Sequence, residues 1–371
     1  MFLWKYAVNV FFDVQELYYL PQYTPIIASL KKQGVEAVLV VYRTEIGIKT
    51  QSKLVGSLCP GANIEWVENE AQARALYLNR RPSWLIIGSD FDHLDGIHRN
   101  TKTALVNHGI GPKACYYDVS SSATNVRFVE GPYRTQRLQK MYPEQKFVDT
   151  GYAKLDPVVN GDLNHLKPSD WGLDDAKKTI LYAPTFYPSS IEYLPKDFPK
   201  EFSEYNVILK PHYFSLANKK YKSQKRLLEC WDKSDNVYLA KLDQVNIIPF
   251  MAVADVLISD ASSTLFEFAA LNKPVVWCDF YKLRWGYRGL LKFRFKKRMD
   301  EDLYKYADIA VHAKSYSELK NNVDSQVQDP NSYAEQRQKY SLALAGNVDG
   351  QCSERIVDYI LSNKELGNGV V

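Results

Sequence analysis

Residues 254–274 read Ala-Asp-Val-Leu-Ile-Ser-Asp-Ala-Ser-Ser-Thr-Leu-Phe-Glu-Phe-Ala-Ala-Leu-Asn-Lys-Pro. Asp255–Ile258 is short and, after its first residue, wholly apolar. Strands buried on both faces read this way, because neither face needs polar residues. A few small polar residues follow, and then Ser263–Leu271 has the pattern of a helix with an apolar side. Strand, tight connection and helix make a βα unit, the building block of a parallel sheet covered by helices.

The same pattern, unbroken in most cases, recurs along the chain. It appears at Tyr6–Phe12, Glu36–Tyr42, Trp84–Gly88, Ala104–Asn107 and Lys146–Thr150, then at Thr179–Tyr182, Val207–Leu209, Val237–Leu239 and Pro274–Cys278. Helix-like stretches such as Tyr23–Lys32, Glu70–Asn79 and Tyr133–Met141 lie between them. The polar, Pro- and Gly-bearing stretch at 156–178 interrupts the alternation. At about 150 residues per domain, 371 residues suggest two domains. The fold class expected is α/β, with two Rossmann-like domains facing a cleft. The first covers 1–158 and the second 172–345, followed by a C-terminal helix and tail at 346–371, the helix over Cys352–Ser362.

Hydrophobic residues at 46% and charged residues at 24% exclude a disordered chain. A net charge of +4, from 47 basic and 43 acidic residues, is too small to argue for nucleic acid. Five cysteines with no CxxC spacing fit neither a disulfide framework nor a Cys-rich zinc site. The N-terminal stretch lacks the basic start and clean apolar run of a signal peptide, and no long uncharged apolar run suggests a membrane span. Neither GxGxxG nor GxxxxGK[ST] occurs. No acidic metal-binding pair stands out, so neither a bound metal nor a cofactor is expected.

Candidate chemistry sits at strand ends, where open α/β sheets bind ligands. The strand Ala104–Asn107 delivers His108, followed by Gly109 and Gly111. A histidine there suits a general base near neutral pH, or simply a hydrogen bond in a turn. Val207–Leu209 runs into Lys210-Pro211-His212, where Lys210 and His212 suit phosphate oxygens or an ordinary turn. After Ser259-Asp260, the cluster Ser262-Ser263-Thr264 opens a helix. Its hydroxyls suit a phosphate at the helix start or plain N-capping, and Glu267 one turn on suits a ribose. Thr185, in the turn Ala183-Pro184-Thr185, and Lys154, in the Gly-bearing turn Gly151–Asp156, are weaker candidates that turn formation alone explains.

Lys282–Arg298 reads KLRWGYRGLLKFRFKKR, with eight basic residues and no acidic one. The pattern fits a solvated basic surface, or one meeting anionic lipid headgroups through Lys292, Arg294, Lys296, Lys297 and Arg298. No nucleic-acid fold signature accompanies it, so nucleic acid is not expected as a partner.

Taken in order, these segments resemble the CDP-glycerol glycerophosphotransferase family, the teichoic-acid primases and polymerases. The resemblance rests on Asn107-His108-Gly109, Gly151-Tyr152-Ala153-Lys154-Leu155-Asp156, Leu181-Tyr182-Ala183-Pro184-Thr185, Lys210-Pro211-His212, Ser259-Asp260-Ala261-Ser262-Ser263 with Phe266-Glu267-Phe268-Ala269, and Lys273-Pro274. It spans about residues 100–280 and implies a GT-B fold. It further implies transfer of a polyol phosphate from CDP-glycerol to a hydroxyl of a lipid-linked saccharide, releasing CMP, in teichoic-acid or capsule-type polymer synthesis. His108 is then the base on the acceptor hydroxyl, and His212 binds the donor phosphates. Ser262 and Ser263 hold the pyrophosphate, and Glu267 lies near the cytidine ribose. The implied partners are a CDP-polyol, a lipid-linked saccharide and an anionic membrane surface, with the protein cytoplasmic and peripheral on the inner face of the cell membrane.

The chain departs from the family pattern at Asn107 and Ile110, where Trp and Thr are frequent, at Lys210 in place of Arg, and at Glu267 in place of Asp. Ribitol phosphate therefore stays open as the transferred unit. The alternative readings are a GT-B glycosyltransferase or UDP-sugar 2-epimerase-like enzyme using a nucleotide sugar in surface polysaccharide synthesis, and a nucleotide-binding scaffold.

Overall fold

In the computed structural model the apolar runs become strands of two all-parallel sheets, one in each of two units. The structure describes residues 8–44, 47–111, 114–260, 262–281 and 305–363. The first unit takes the chain up to His108, then Tyr116–Asp156 and the stretch from Ala343 onward; the second takes Gly109–Cys115 and Pro157–Leu342. The boundary near residue 157 lies where the sequence loses its periodicity. The short excursion at 109–115 carries no sequence signal.

The first sheet contains β1 (Asn9–Val14), β2 (Glu36–Tyr42), β3 (Asn63–Val67), β4 (Trp84–Ile87), β5 (Lys102–Val106), β6 (Val126–Val129) and β7 (Phe147–Asp149). Their order is β3-β2-β1-β4-β5-β6-β7. Phe12 in β1 lies opposite Leu39 of β2 and Ile86 of β4, so three apolar side chains share one level of the core. Helices α1 (Leu20–Lys32), α2 (Ile48–Leu58), α3 (Glu70–Arg80) and α4 (Pro132–Met141) supply the covering layers. Their ends follow ordinary chemistry. Pro21 sits in the first turn of α1, where its missing N–H costs nothing, and Lys31 and Lys32 in the last turn face the negative end of the helix dipole. Asn69 caps α3 by accepting from the Gln72 N–H at 3.0 Å.

The second sheet contains β8 (Thr179–Tyr182), β9 (Asn206–Leu209), β10 (Val237–Leu239), β11 (Val256–Ser259), β12 (Val275–Cys278) and β13 (Val311–Ala313), in the order β10-β9-β8-β11-β12-β13. This is the doubly wound order of a Rossmann sheet. Its helices are α5 (Tyr213–Ala217), α6 (Lys222–Trp231), α7 (Ile248–Val253), α8 (Thr264–Ala270), α9 (Tyr316–Gln328) and α10 (Ala334–Tyr340). Beyond them α11 (Cys352–Ser362) returns to the first unit. It buries Cys352, Ile356, Val357 and Ile360 in the core that holds Val10 and Phe12. Asp156 caps it from afar, accepting from the N–H groups of Ser353 at 2.7 Å and Cys352 at 3.3 Å.

Three strands lie outside the sequence expectation. β3 (Asn-Ile-Glu-Trp-Val) is an edge strand with alternating polarity, β6 (Val-Arg-Phe-Val) carries Arg127, and β13 has three residues. In both sheets strand order reverses beside the first strand of the sheet, between β1 and β4 and between β8 and β11. There the flanking connections leave in opposite directions and open room for a ligand at the carboxyl ends.

Candidate functional site

In the first unit, His108 follows the carboxyl end of β5 and is half-buried. Its imidazole stacks on Tyr19, with centroids 4.9 Å apart and planes 22° apart. Tyr18 and Tyr116 meet it edge-on, at 5.1 Å and 5.6 Å. Nδ1 lies 3.3 Å from the carbonyl oxygen of Gly88, just beyond β4. The main chain is held too, since the Tyr152 hydroxyl donates to the His108 carbonyl at 2.8 Å. Tyr152 belongs to the turn that carries Lys154, which is itself buried and donates its backbone N–H to Gln22 Oε1 at 2.9 Å. The segment Gly151–Asp156 therefore buttresses the histidine through Tyr152 and anchors the last helix through Asp156.

Gly88 has a steric reason to be glycine. A Cβ built on it would lie 2.6 Å from Tyr19 Cδ2 and 2.7 Å from the Tyr23 hydroxyl. The missing side chain is what admits the Tyr19 ring on which His108 stacks. Tyr23 donates to the backbone carbonyl of Asp13, at the end of β1, at 3.2 Å. The Asp13 side chain is buried and accepts from Tyr77 at 2.6 Å and Tyr42 at 3.0 Å, both on Oδ2. Burial pushes its carboxyl up to about 7 despite the two tyrosine hydrogen bonds.

In the second unit, the buried carboxylate of Asp260 organises the turn after β8. Oδ1 accepts from the Thr185 N–H at 2.8 Å, and Oδ2 accepts from the Ser190 N–H at 2.8 Å and hydroxyl at 2.9 Å. Burial pushes this carboxyl up to about 7, against the lowering effect of the same hydrogen bonds. Asp260 is 0% exposed, so it acts on its surroundings through Thr185 and Ser190. Lys210 and His212 follow β9, the neighbour of β8; the Lys210 N–H donates to the Tyr182 carbonyl and the His212 N–H to the Pro184 carbonyl. His212 Nδ1 accepts from the Phe214 N–H at 3.2 Å, and its ring forms a three-membered cluster with Phe186 and Phe214, whose centroids lie 4.6 Å and 5.0 Å from it and 5.1 Å from each other.

At the start of α8, Ser262 Oγ accepts from the Thr264 N–H at 3.3 Å and donates to the Thr264 hydroxyl at 3.1 Å, while Ser263 makes no capping bond with its side chain. Ser262, Ser263 and Thr264 are each partly exposed; Glu267 is buried. A Cβ on Gly111 would approach Ser263 Cα to 3.0 Å, so this glycine lets its segment pack on the serine. Lys273 donates to the carbonyls of Met251, Ala252 and Ala254 at 2.9, 2.9 and 3.0 Å, tying down the end of α7.

The sequence-derived residues thus fall into two groups, His108 and Lys154 in the first unit, and Thr185, Lys210, His212, Asp260, Ser262, Ser263, Thr264 and Glu267 in the second. Lys292, Arg294, Lys296, Lys297 and Arg298 lie outside the described residues. Sequence reasoning did not single out Gly88, Tyr19, Tyr152, Asp13 or Ser190. Only Gly88 had a readable signal, as a glycine closing an apolar strand. Among the described residues no group of His, Cys, Asp and Glu is placed to hold a metal ion, and no helix is long and apolar enough to cross a membrane.

The family model for CDP-Glycerol:Poly(glycerophosphate) glycerophosphotransferase matches residues 96–362. The chain is 34% identical over 117 residues to a teichoic acid glycerol-phosphate primase of Bacillus spizizenii, a match covering 32% of this chain and 29% of the primase. It is 22% identical over 342 residues to a teichoic acid glycerol-phosphate transferase of Staphylococcus aureus, covering 80% of this chain and 78% of the relative. Among solved structures it resembles a variant of the wall teichoic acid polymerase TagF soaked with CDPG, with a TM-score of 0.66 and 18% identity, over 96% of this chain and 88% of that one. At this identity the likeness establishes the fold.

Proposed function

Because the chain belongs to the CDP-glycerol:poly(glycerophosphate) glycerophosphotransferase family, we propose that it transfers glycerol phosphate from CDP-glycerol to a hydroxyl group in teichoic-acid synthesis. The acceptor oxygen attacks the β-phosphorus, the bond from that phosphorus to the bridging oxygen breaks, and CMP departs with the bond electrons. His108 takes the hydroxyl proton. His212 and Lys210 stabilise the charge that develops on the phosphoryl oxygens, and Ser262 and Ser263 hold the pyrophosphate. Asp260 positions Thr185, and Glu267 lies near the ribose. The acceptor is a lipid-linked saccharide, which the basic segment 282–298 helps the enzyme reach at an anionic membrane surface.

The observation that carries this reading is the placement of two histidines from family motifs. Each follows the carboxyl end of a strand that neighbours one of the two flanking the reversal point, β5 beside β4 and β9 beside β8, on the sheet edge where an α/β fold binds substrate.

The test is thermal stability of the full chain with CMP, CDP-glycerol, CDP-ribitol, UDP and GDP. A ligand at about 100 times its dissociation constant stabilises the fold by about 2.7 kcal/mol. Stabilisation by the cytidine nucleotides alone is expected, followed by CMP release when acceptor is added. Removing a general base costs about 10²–10⁴ in rate, so His108→Ala should lower CMP release by that factor. Stabilisation by UDP or GDP instead would move the assignment to sugar transfer.

A further inference from the structure

The two histidines make opposite hydrogen bonds through the same ring atom. His108 Nδ1 lies 3.3 Å from the Gly88 carbonyl oxygen. A carbonyl oxygen can only accept, so Nδ1 of His108 carries the hydrogen. In the neutral ring the lone pair is then on Nε2. His212 Nδ1 faces the backbone N–H of Phe214 at 3.2 Å. An N–H can only donate, so this Nδ1 carries the lone pair, and the ring hydrogen is on Nε2.

We propose that the Gly88 carbonyl and the Phe214 N–H are positioning groups that fix the two histidines in opposite tautomers and thereby divide their work. His108 offers a basic nitrogen at Nε2, and His212 offers an N–H donor at Nε2. The first suits removal of a proton from a hydroxyl, and the second suits a hydrogen bond to a phosphoryl oxygen. The division rests on the glycerophosphotransferase reading above; the tautomers do not.

Both rings are held so that these bonds persist. His108 lies on Tyr19 with Tyr18 and Tyr116 meeting it edge-on, which holds the plane of the ring, and the Nδ1 bond to Gly88 selects between the two half-turn orientations that share this plane. Gly88 combines two functions, since its carbonyl takes the Nδ1–H and its missing side chain admits Tyr19. His212 is the N-cap of α5, and the N–H it receives is one that the first turn of the helix leaves unpaired. Phe186 and Phe214 pack against this ring and against each other. Main-chain groups thus meet both rings at Nδ1, a carbonyl in one case and an N–H in the other.

The experiment uses the full chain labelled with ¹⁵N-histidine and long-range ¹H–¹⁵N correlation at about pH 8.5, above the ordinary histidine value of about 6.5. A protonated ring nitrogen resonates far from a bare one, and only Nε2 couples to both ring C–H protons. His108→Gln and His212→Gln each remove one of the six histidine patterns and so assign the signals. The expected result is a protonated Nδ1 in His108 and a protonated Nε2 in His212. A glutamine amide keeps an N–H donor near the Nε2 position but supplies no basic nitrogen. His212→Gln should therefore retain about tenfold or more of the CMP release that His212→Ala loses, as one hydrogen bond to a charged oxygen warrants. His108→Gln should be as impaired as His108→Ala.

Either ring in the other tautomer overturns the proposal, as does a His212→Gln variant no more active than His212→Ala. The spectrum is read without substrate. An unmodified chain that has both tautomers yet releases no CMP from CDP-glycerol defeats the functional reading alone.

Discussion

Asp260 and Ser190 are joined twice, the carboxylate oxygen Oδ2 accepting both the backbone N–H at 2.8 Å and the hydroxyl at 2.9 Å. With the Thr185 N–H on Oδ1, three donors converge on one buried carboxylate. Asn has the same shape but turns one acceptor into a donor, so an N–H would face an N–H. Asp260→Asn should destabilise the fold by about 1–3 kcal/mol, the cost of an unsatisfied buried polar group. Ser190→Ala deletes only the hydroxyl and should cost about 0.5–1.5 kcal/mol. Urea unfolding of the two variants measures both. Equal stability of Asp260→Asn and the unmodified chain would show that the turn after β8 does not depend on this carboxylate.

Gly88 links the packing of β4 to the ring of His108. In Gly88→Ala the new methyl group would press on Tyr19 and Tyr23, both buried, neither able to swing into solvent. Overpacking of this kind costs about 1–3 kcal/mol. Activity should fall further than stability, because displacing Tyr19 removes the platform under His108. Adding Tyr19→Ala to Gly88→Ala restores space, so the double variant should be more stable than the sum of the single changes predicts. Strict additivity of unfolding free energies would contradict the proposed clash.

The carboxyls of Asp13 and Asp260 both stand at about 7 in the fold, raised by burial, against about 3.9 in an unfolded chain. Between those values the folded protein keeps two protons that the unfolded chain has released. Stability therefore declines as pH rises from about 4 to about 7, then levels off for these two groups. His312, raised by its hydrogen bond to Asp279, acts in the same direction; its contribution is complete below about 6.5 and is lost above its folded value. Melting temperature measured across this range should fall with rising pH. Asp13→Asn isolates one group, because Oδ1 of Asp13 has no hydrogen-bond partner among the described residues and an amide can keep both tyrosine bonds on its oxygen. That variant should fold and lose up to about 1.4 kcal/mol of the slope per pH unit. Stability that rises between pH 5 and 7 would rule out the raised carboxyls.

The strands that carry the site were legible because burial on both faces leaves an unbroken apolar run. Glu36–Tyr42, Thr179–Tyr182 and Val237–Leu239 have the bounds the sequence suggested. Alternation hid β3, and a charge hid β6. Arg127 is tolerated inside that strand because its guanidinium donates to the Tyr116 carbonyl at 2.8 Å and to Ser120. For the site itself, residues at strand ends were readable one by one. Their supports were not, because Gly88 is 20 residues from His108, and Ser190 is 70 from Asp260. No local pattern records a pairing at that distance. The fold creates it by bringing adjacent strand ends together.

The proposed membrane contact makes its own prediction. Lys292, Arg294, Lys296 and Lys297 fall within a stretch that contains no acidic residue. Each basic residue near an anionic surface contributes about 1 kcal/mol, so replacing these four by Glu should weaken binding to anionic vesicles by about 10³-fold or more. A comparison set separates position from charge. Lys219, Lys220, Lys222 and Arg226 are exposed in the turn before α6 and in its first half, and they offer a similar density of charge. If the surface acts through its place in the molecule, reversing this second set should leave co-sedimentation nearly intact, whereas reversing the first abolishes it. Both should weaken with salt, as surface electrostatics require. Equal losses from the two sets would mean that total charge governs binding. Full retention by the first variant would remove the segment 282–298 from any membrane role.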